Sequence, residues 1–250
     1  MKKKLKSFYL IVSSLFICLL HLPFAFGKKT TTRNIIPEAK KITRSTDSVA
    51  LISSFISMYD SLHLEVSGLS KKAFELAQTG FQKMQQQGRF PNDSVISIVD
   101  FSQPSSNKRL YVLDVKNYKV LFNTLVSHGR NSGKLWAESF SNTPSSYKSS
   151  LGFYLTGQTY QGSNGYSLKL SGLENGINSN AIRRAIVMHG ADYVDESYIN
   201  DQGYIGRSQG CPAVPLRFAK DIINTIKDGS CLFIYSPNRF YSQHSPIIKG

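Results

Sequence analysis

At 250 residues the chain has room for one sizeable domain, or one domain with a small accessory piece. Hydrophobic residues make up 41%, with 13 Tyr and 15 Phe, which argues against a disordered chain. The net charge of +14 favours polyanionic surroundings over basic or neutral partners.

The first stretch reads as an address. Lys2, Lys3, Lys4 and Lys6 form a basic lead, and residues 8–22 are an apolar run. Ala25 and Gly27 put small residues at the −3 and −1 positions of a cleavage site. Residues 1–27 are therefore expected to be a signal peptide. The apolar run is short for a membrane span, and no later run is long enough to be one. Cleavage would remove four Lys and no acid, leaving a charge of +10. The expected location is the periplasm or cell wall. A basic exported protein suits the cell wall or lipopolysaccharide; export and the lack of any recognition motif argue against nucleic acid.

Residues 28–46 read as a linker. Residues 47–62 and 71–87 carry helical spacing, and 47–90 is expected to be a helical hairpin. Ser70 would cap its second helix, Phe74, Ala77, Phe81 and Met84 would line the apolar face, and Gly88 would stop it. From residue 94 the period changes. Strands are expected over 95–100, 110–115 and 120–126 as a meander, then over 151–155 and 166–170, with a turn across 157–165. The third strand runs into Ser127-His128-Gly129, whose polar and Gly residues can line a site or simply turn the chain. The apolar run Ile186 to Met188 reads as a buried strand ending at His189-Gly190. A helix is expected over 216–227 and a last strand over 232–235. Residues 238–250 read as a polar, partly ordered tail.

Two cysteines follow the signal segment. Cys231 opens an apolar run and reads as a buried strand residue. Cys211 lies between Gly210 and Pro212 in a polar loop, neighbours a structural thiol does not need. We therefore expect no disulfide between them. A thiol with an ordinary pKa near 8.5 is mostly protonated at neutral pH, and an adjacent imidazole can take that proton. If the loop between them folds back, His189 and Cys211 make such a pair. The amides of Gly210 and Cys211 are the candidate oxyanion donors; Pro212 has none to give. Arg207 suits pairing with a substrate carboxylate. The acidic residues Asp192, Asp195, Glu196 and Asp201 lack the alternation of a calcium loop, and no metal site is expected.

The strings Met188-His189-Gly190 and Ser208-Gln209-Gly210-Cys211-Pro212-Ala213-Val214-Pro215 resemble the signature of the L,D-transpeptidase catalytic domain, the YkuD-like family, and within it the murein branch. Thr143-Pro144 with Gly152-Phe153 is similar to a region upstream in that family. The chain departs from the family where it carries Gln209 in place of a frequent His, and Pro212-Ala213-Val214 in place of a frequent Arg after the Cys. The resemblance implies a mainly β fold, a mixed β-sandwich over residues 91–237 with flanking helices. It implies Cys211 as nucleophile and His189 as base. Ser208, Arg207, Gln209, Gly190 and His128 would line the substrate groove. It also implies acyl transfer on peptidoglycan stem peptides, with no cofactor, by a chain expected to be a monomer. Two alternatives stay open: a cysteine peptidase using water as acceptor, and a wall-binding protein that has lost its chemistry.

Overall fold

The structure, a computed structural model, describes residues 58–249. The expected signal peptide, the linker and most of the first expected helix lie outside the described residues. Residues 58–61 are helical, and Met58 and Tyr59 are buried.

Helix α1 spans Lys71–Gln86. Ser70 caps it by accepting the Ala73 N–H at 3.2 Å. At its far end Gly88, at φ +65°, turns the chain into the left-handed region. The Gly88 and Arg89 amides then bond back to Gln85 O and Met84 O, a full Schellman closure. Its buried face carries Ala73, Phe74, Ala77, Phe81 and Met84. Gly80 on the same face lets the Phe153 ring press onto the helix; a Cβ there would lie 2.0 Å from Phe153 Cζ.

Eight strands follow: β1 (Val95–Asp100), β2 (Leu110–Asp114), β3 (Lys119–Thr124), β4 (Gly152–Gly162), β5 (Gly165–Gly172), β6 (Val187–Ala191), β7 (Ala213–Pro215) and β8 (Cys231–Tyr235). They form one mixed sheet in the order β3-β2-β1-β8-β4-β5-β6-β7. The β1–β8 and β6–β7 pairs are parallel and the others antiparallel. Strands β1 and β8 are buried along their whole length, which is why β8 reads as an unbroken apolar run and β1 as one broken by Ser97 and Asp100 alone. The two ends of the sheet meet. Ser127 N–H donates to Ala213 O at 2.8 Å, and Gly129 bridges Ser208 in parallel. The sheet thus curls into a barrel-like shape, and the segment after β3 lies against the loop before Cys211. Besides α1 there are α2 (Glu196–Gln202), α3 (Leu216–Ile226) and α4 (Arg239–His244). Among the described residues no helix is long and apolar enough to cross a membrane.

Four local expectations are corrected. The expected turn over 157–165 narrows to residues 163–164, with strand on either side. A bulge between Thr156 and Thr159 absorbs Gly157, and β4 runs on to Gly162 in a long hairpin with β5. Strand β6 continues to Ala191, so His189 sits within it. The loop after β6 contains α2, a short helix with no buried residue and hence no apolar signal. The tail is folded: Tyr241 on α4 is buried, and its hydroxyl donates to buried Glu174 at 3.2 Å. Cys231 is a buried, free thiol on β8.

Candidate active site

Parallel pairing of β6 with β7 sets His189 opposite Ala213. The same alignment carries Cys211, two residues before Ala213, to Val187, two residues before His189. Val187 and His189 share a face of β6, because side chains alternate along a strand. The Val187 amide accordingly donates to Cys211 Sγ at 3.5 Å, and the thiol faces Ala185 O at 3.7 Å. Cys211 and His189 line one cavity of about 540 Å³. Among the described residues no direct hydrogen bond joins the thiol to the ring.

His189 is 5% exposed and Cys211 9%. His189 Nδ1 lies 2.9 Å from Gly190 O. A carbonyl oxygen can only accept, so Nδ1 carries the proton and Nε2 keeps a lone pair. Burial lowers the His189 pKa, with the Gly190 carbonyl opposing. Burial raises the Cys211 pKa, opposed by the Val187 amide and the Arg184 charge. Both shifts favour the neutral forms. Together they favour thiol plus neutral imidazole over an ion pair.

The loop before the thiol is clamped by Ser208. Its hydroxyl donates to Cys211 O at 2.6 Å and accepts from Gly210 N–H at 3.0 Å. Its amide donates to His128 O at 3.0 Å. Gly210 sits at φ +123°, and a Cβ there would lie 2.8 Å from Lys148 O. The Gly210 amide is therefore turned inward to Ser208 and is not available to an oxyanion.

The other expected groove residues separate. Arg207, Ser208 and Gln209 line the cavity with Cys211. Arg207 Nη1 is tethered to Gly133 O at 3.1 Å and Arg130 O at 3.3 Å. His128 is not a groove residue. It is fully buried, its Nδ1 lies 2.7 Å from Arg109 Nη2, and its Nε2 faces Gly133 O at 3.2 Å. Burial, the Arg109 charge and the more distant Arg207 hold its pKa at about 3 against the Gly133 carbonyl, so it is a neutral structural imidazole. Gly190 does not line the cavity either. A Cβ there would meet Ala219 at 2.8 Å and Leu216 at 2.9 Å, so its smallness seats α3 on β6.

Several lining residues carried no sequence signal. Tyr147 stacks under Arg130, whose guanidinium carbon is 4.0 Å from the ring centre. Ser163 and Asn164, at the tip of the β4–β5 hairpin, reach the cavity because that hairpin is long. Tyr193 follows β6, and Arg184 precedes it. Arg184 stands in a basic segment with Arg183, and nothing in the string says which of the two turns inward.

Residues 65–235 match the sequence model of a family described as the L,D-transpeptidase catalytic domain. No curated protein sequence matches this one. Among solved structures, the chain is similar to an L,D-transpeptidase from Mycobacterium smegmatis, at 12% identity and a TM-score of 0.35, over 57% of this chain and 59% of that one. It is similar to the helical cell shape determining protein Pgp2 from Campylobacter jejuni, at 12% and 0.40, over 58% and 49%. It is also similar to an L,D-transpeptidase from Stackebrandtia nassauensis, at 14% and 0.35, over 68% and 69%. The chain thus spans about three fifths of the length of the mycobacterial protein.

Proposed function

Because the chain belongs to the L,D-transpeptidase catalytic domain family, we propose that it is an exported acyltransferase acting on peptidoglycan stem peptides through a Cys211 thioester. The observation that carries this reading is the shared cavity in which His189, its Nδ1 proton held by Gly190 O, keeps a free Nε2 near a buried thiol.

In the proposed reaction His189 Nε2 takes the thiol proton as Sγ attacks the carbonyl before a terminal D-amino acid. The Cys211 amide receives the oxyanion. The imidazolium then protonates the leaving amine, the D-amino acid departs and the thioester remains. An amine from a second stem, or water, attacks the thioester and gives its proton to His189, and the thiol is restored. No cofactor takes part. Arg207 on the cavity wall and the basic charge of the chain suit a substrate that carries carboxylates. Gln209 is exposed on the rim, where a stem would enter. Residues 1–27 would direct export, and the exported chain would act as a monomer in the periplasm or cell wall.

Intact-mass measurement tests the reading. The purified protein should gain the mass of an acyl adduct with a tetrapeptide stem or a carbapenem, and Cys211→Ala should gain none. No mass gain in the wild type, or an equal gain in Cys211→Ala, would overturn it. Product analysis with and without an acceptor amine separates transfer from hydrolysis.

A further inference from the structure

Arg184 stands on the cavity wall beside the nucleophile loop and has no acidic partner. Its Nη1 donates to Ser141 O at 2.7 Å and Ser150 Oγ at 2.5 Å. Its Nη2 donates to Lys148 O at 2.5 Å and Ser146 Oγ at 3.2 Å. All four acceptors belong to one loop, residues 141–150, and all are neutral. The ion pairs among the described residues are Lys116–Asp93 and Arg217–Asp195, and neither involves this guanidinium. Nη2 lies 3.2 Å from the point where Gly210 would carry a Cβ, so the charge packs against the residue that precedes Cys211. The next residue, Ala185, takes φ +51°, and its carbonyl faces the Cys211 thiol. That conformation is costly for a residue with a side chain. It is held where the chain turns from Arg184 into β6.

A half-buried cation whose hydrogen bonds all go to neutral oxygens keeps its field. Where water is partly excluded that field reaches further than at the surface. From this geometry we infer that Arg184 is a positioning residue for Cys211: it straps the 141–150 loop to the nucleophile turn and holds an uncompensated positive charge that favours the thiolate and the anion formed on attack. The groups facing the thiol from the other elements give no substitute. His189 on β6 is neutral at rest. Tyr193, beyond β6, has its pKa raised by burial and by Cys211 itself, to about 12. Tyr154 on β4 faces Arg184 and is held protonated by burial. Arg207, across the cavity, is tethered to the Gly133 and Arg130 carbonyls. The Lys148 amine is turned to Ser139 Oγ at 2.7 Å.

The inference concerns the thiol and does not require the reaction proposed above, so its test uses no stem peptide. The full chain is alkylated with iodoacetamide across a pH series, and modification is read on the Cys211 peptide by mass spectrometry. Arg184→Met should move the midpoint up by about one pH unit, a roughly tenfold loss of rate at neutral pH. Arg184→Lys, which keeps the charge but not the four-way strap, should move it by less than half of that. A purely structural role predicts equal shifts for both. A midpoint unchanged in Arg184→Met, or shifted as far in Arg184→Lys, overturns the inference. If Arg184→Met fails the near-ultraviolet circular dichroism check for folding, Arg207→Gln decides. With Arg184 as the remaining cavity guanidinium, its Cys211 should still react faster with iodoacetate than with iodoacetamide, relative to a free thiol. That preference should shrink with added salt; its absence overturns the inference.

Discussion

His189 Nδ1 and Gly190 O, neighbours in the chain, are 2.9 Å apart, and this contact decides which nitrogen of the ring is free. The orienting acceptor is a backbone carbonyl that substitution cannot remove, so the tautomer is built into β6. Burial keeps the ring neutral below its ordinary range. The base form therefore persists as pH falls past the usual histidine value of about 6.5. The acid limb of kcat/KM should lie below that value, measured as the pH dependence of acylation by a carbapenem. A limb at or above it would contradict the buried geometry. His189→Gln should slow acylation by about 10²–10⁴-fold.

Ser208 is expected to matter without touching the scissile bond. Ser208→Ala leaves the inward Gly210 amide without its acceptor and frees the Cys211 carbonyl. A buried amide left unsatisfied costs about 1–3 kcal/mol. We expect a lower midpoint in urea unfolding and slower Cys211 acylation. Ser208→Thr, which keeps the hydroxyl, should recover most of both.

His128 links stability to pH. Its native pKa, about 3, lies below the unfolded value of about 6.5. Above 6.5 neither state binds the proton, and its contribution is complete. Between roughly 6.5 and 3 the unfolded chain binds a proton that the native chain does not, so stability drops as the pH is lowered, by up to about 1.4 kcal/mol per unit. His128→Gln should flatten that slope in urea titrations between pH 7 and 4. An unchanged slope would show that the ring is not held neutral beside Arg109.

Gly80 sets two effects against each other. By helix propensity alone, Gly80→Ala in α1 should stabilise by about 1 kcal/mol. The new Cβ would lie 2.0 Å from Phe153 Cζ, and forcing extra volume into a packed core costs about 1–3 kcal/mol. Overlap should win, and the substitution should lower the unfolding midpoint.

Much of this architecture was legible because its signals are local. The stripe from Phe74 to Met84 and the apolar runs of β1 and β8 report burial one residue at a time. Ser70 and Gly88 announce their helix ends by chemistry. The elements that escaped depend on distant partners. Gly157 reads as a turn residue, but β5 pairs across it and a bulge absorbs it. The α4 segment looks like a polar tail because one side chain, Tyr241, docks it on Glu174. At the site, the types and order of Cys211 and His189 suffice to nominate them. Arg184 could not be nominated, since its acceptors are two main-chain oxygens and two hydroxyls about forty positions earlier. His128 and Gly190 misled for the same reason: polar and glycine residues beside a strand look alike whether they face a ligand or a neighbouring element.

The placing of sulfur and imidazole on one cavity rests on a three-residue strand, β7, lying in one particular alignment beside β6. A shift of a single position would send alternate side chains to the opposite face and part the two groups. In the proposed reaction, activity is thus a property of completed assembly: until β7 docks, the chain carries a thiol with no imidazole beside it.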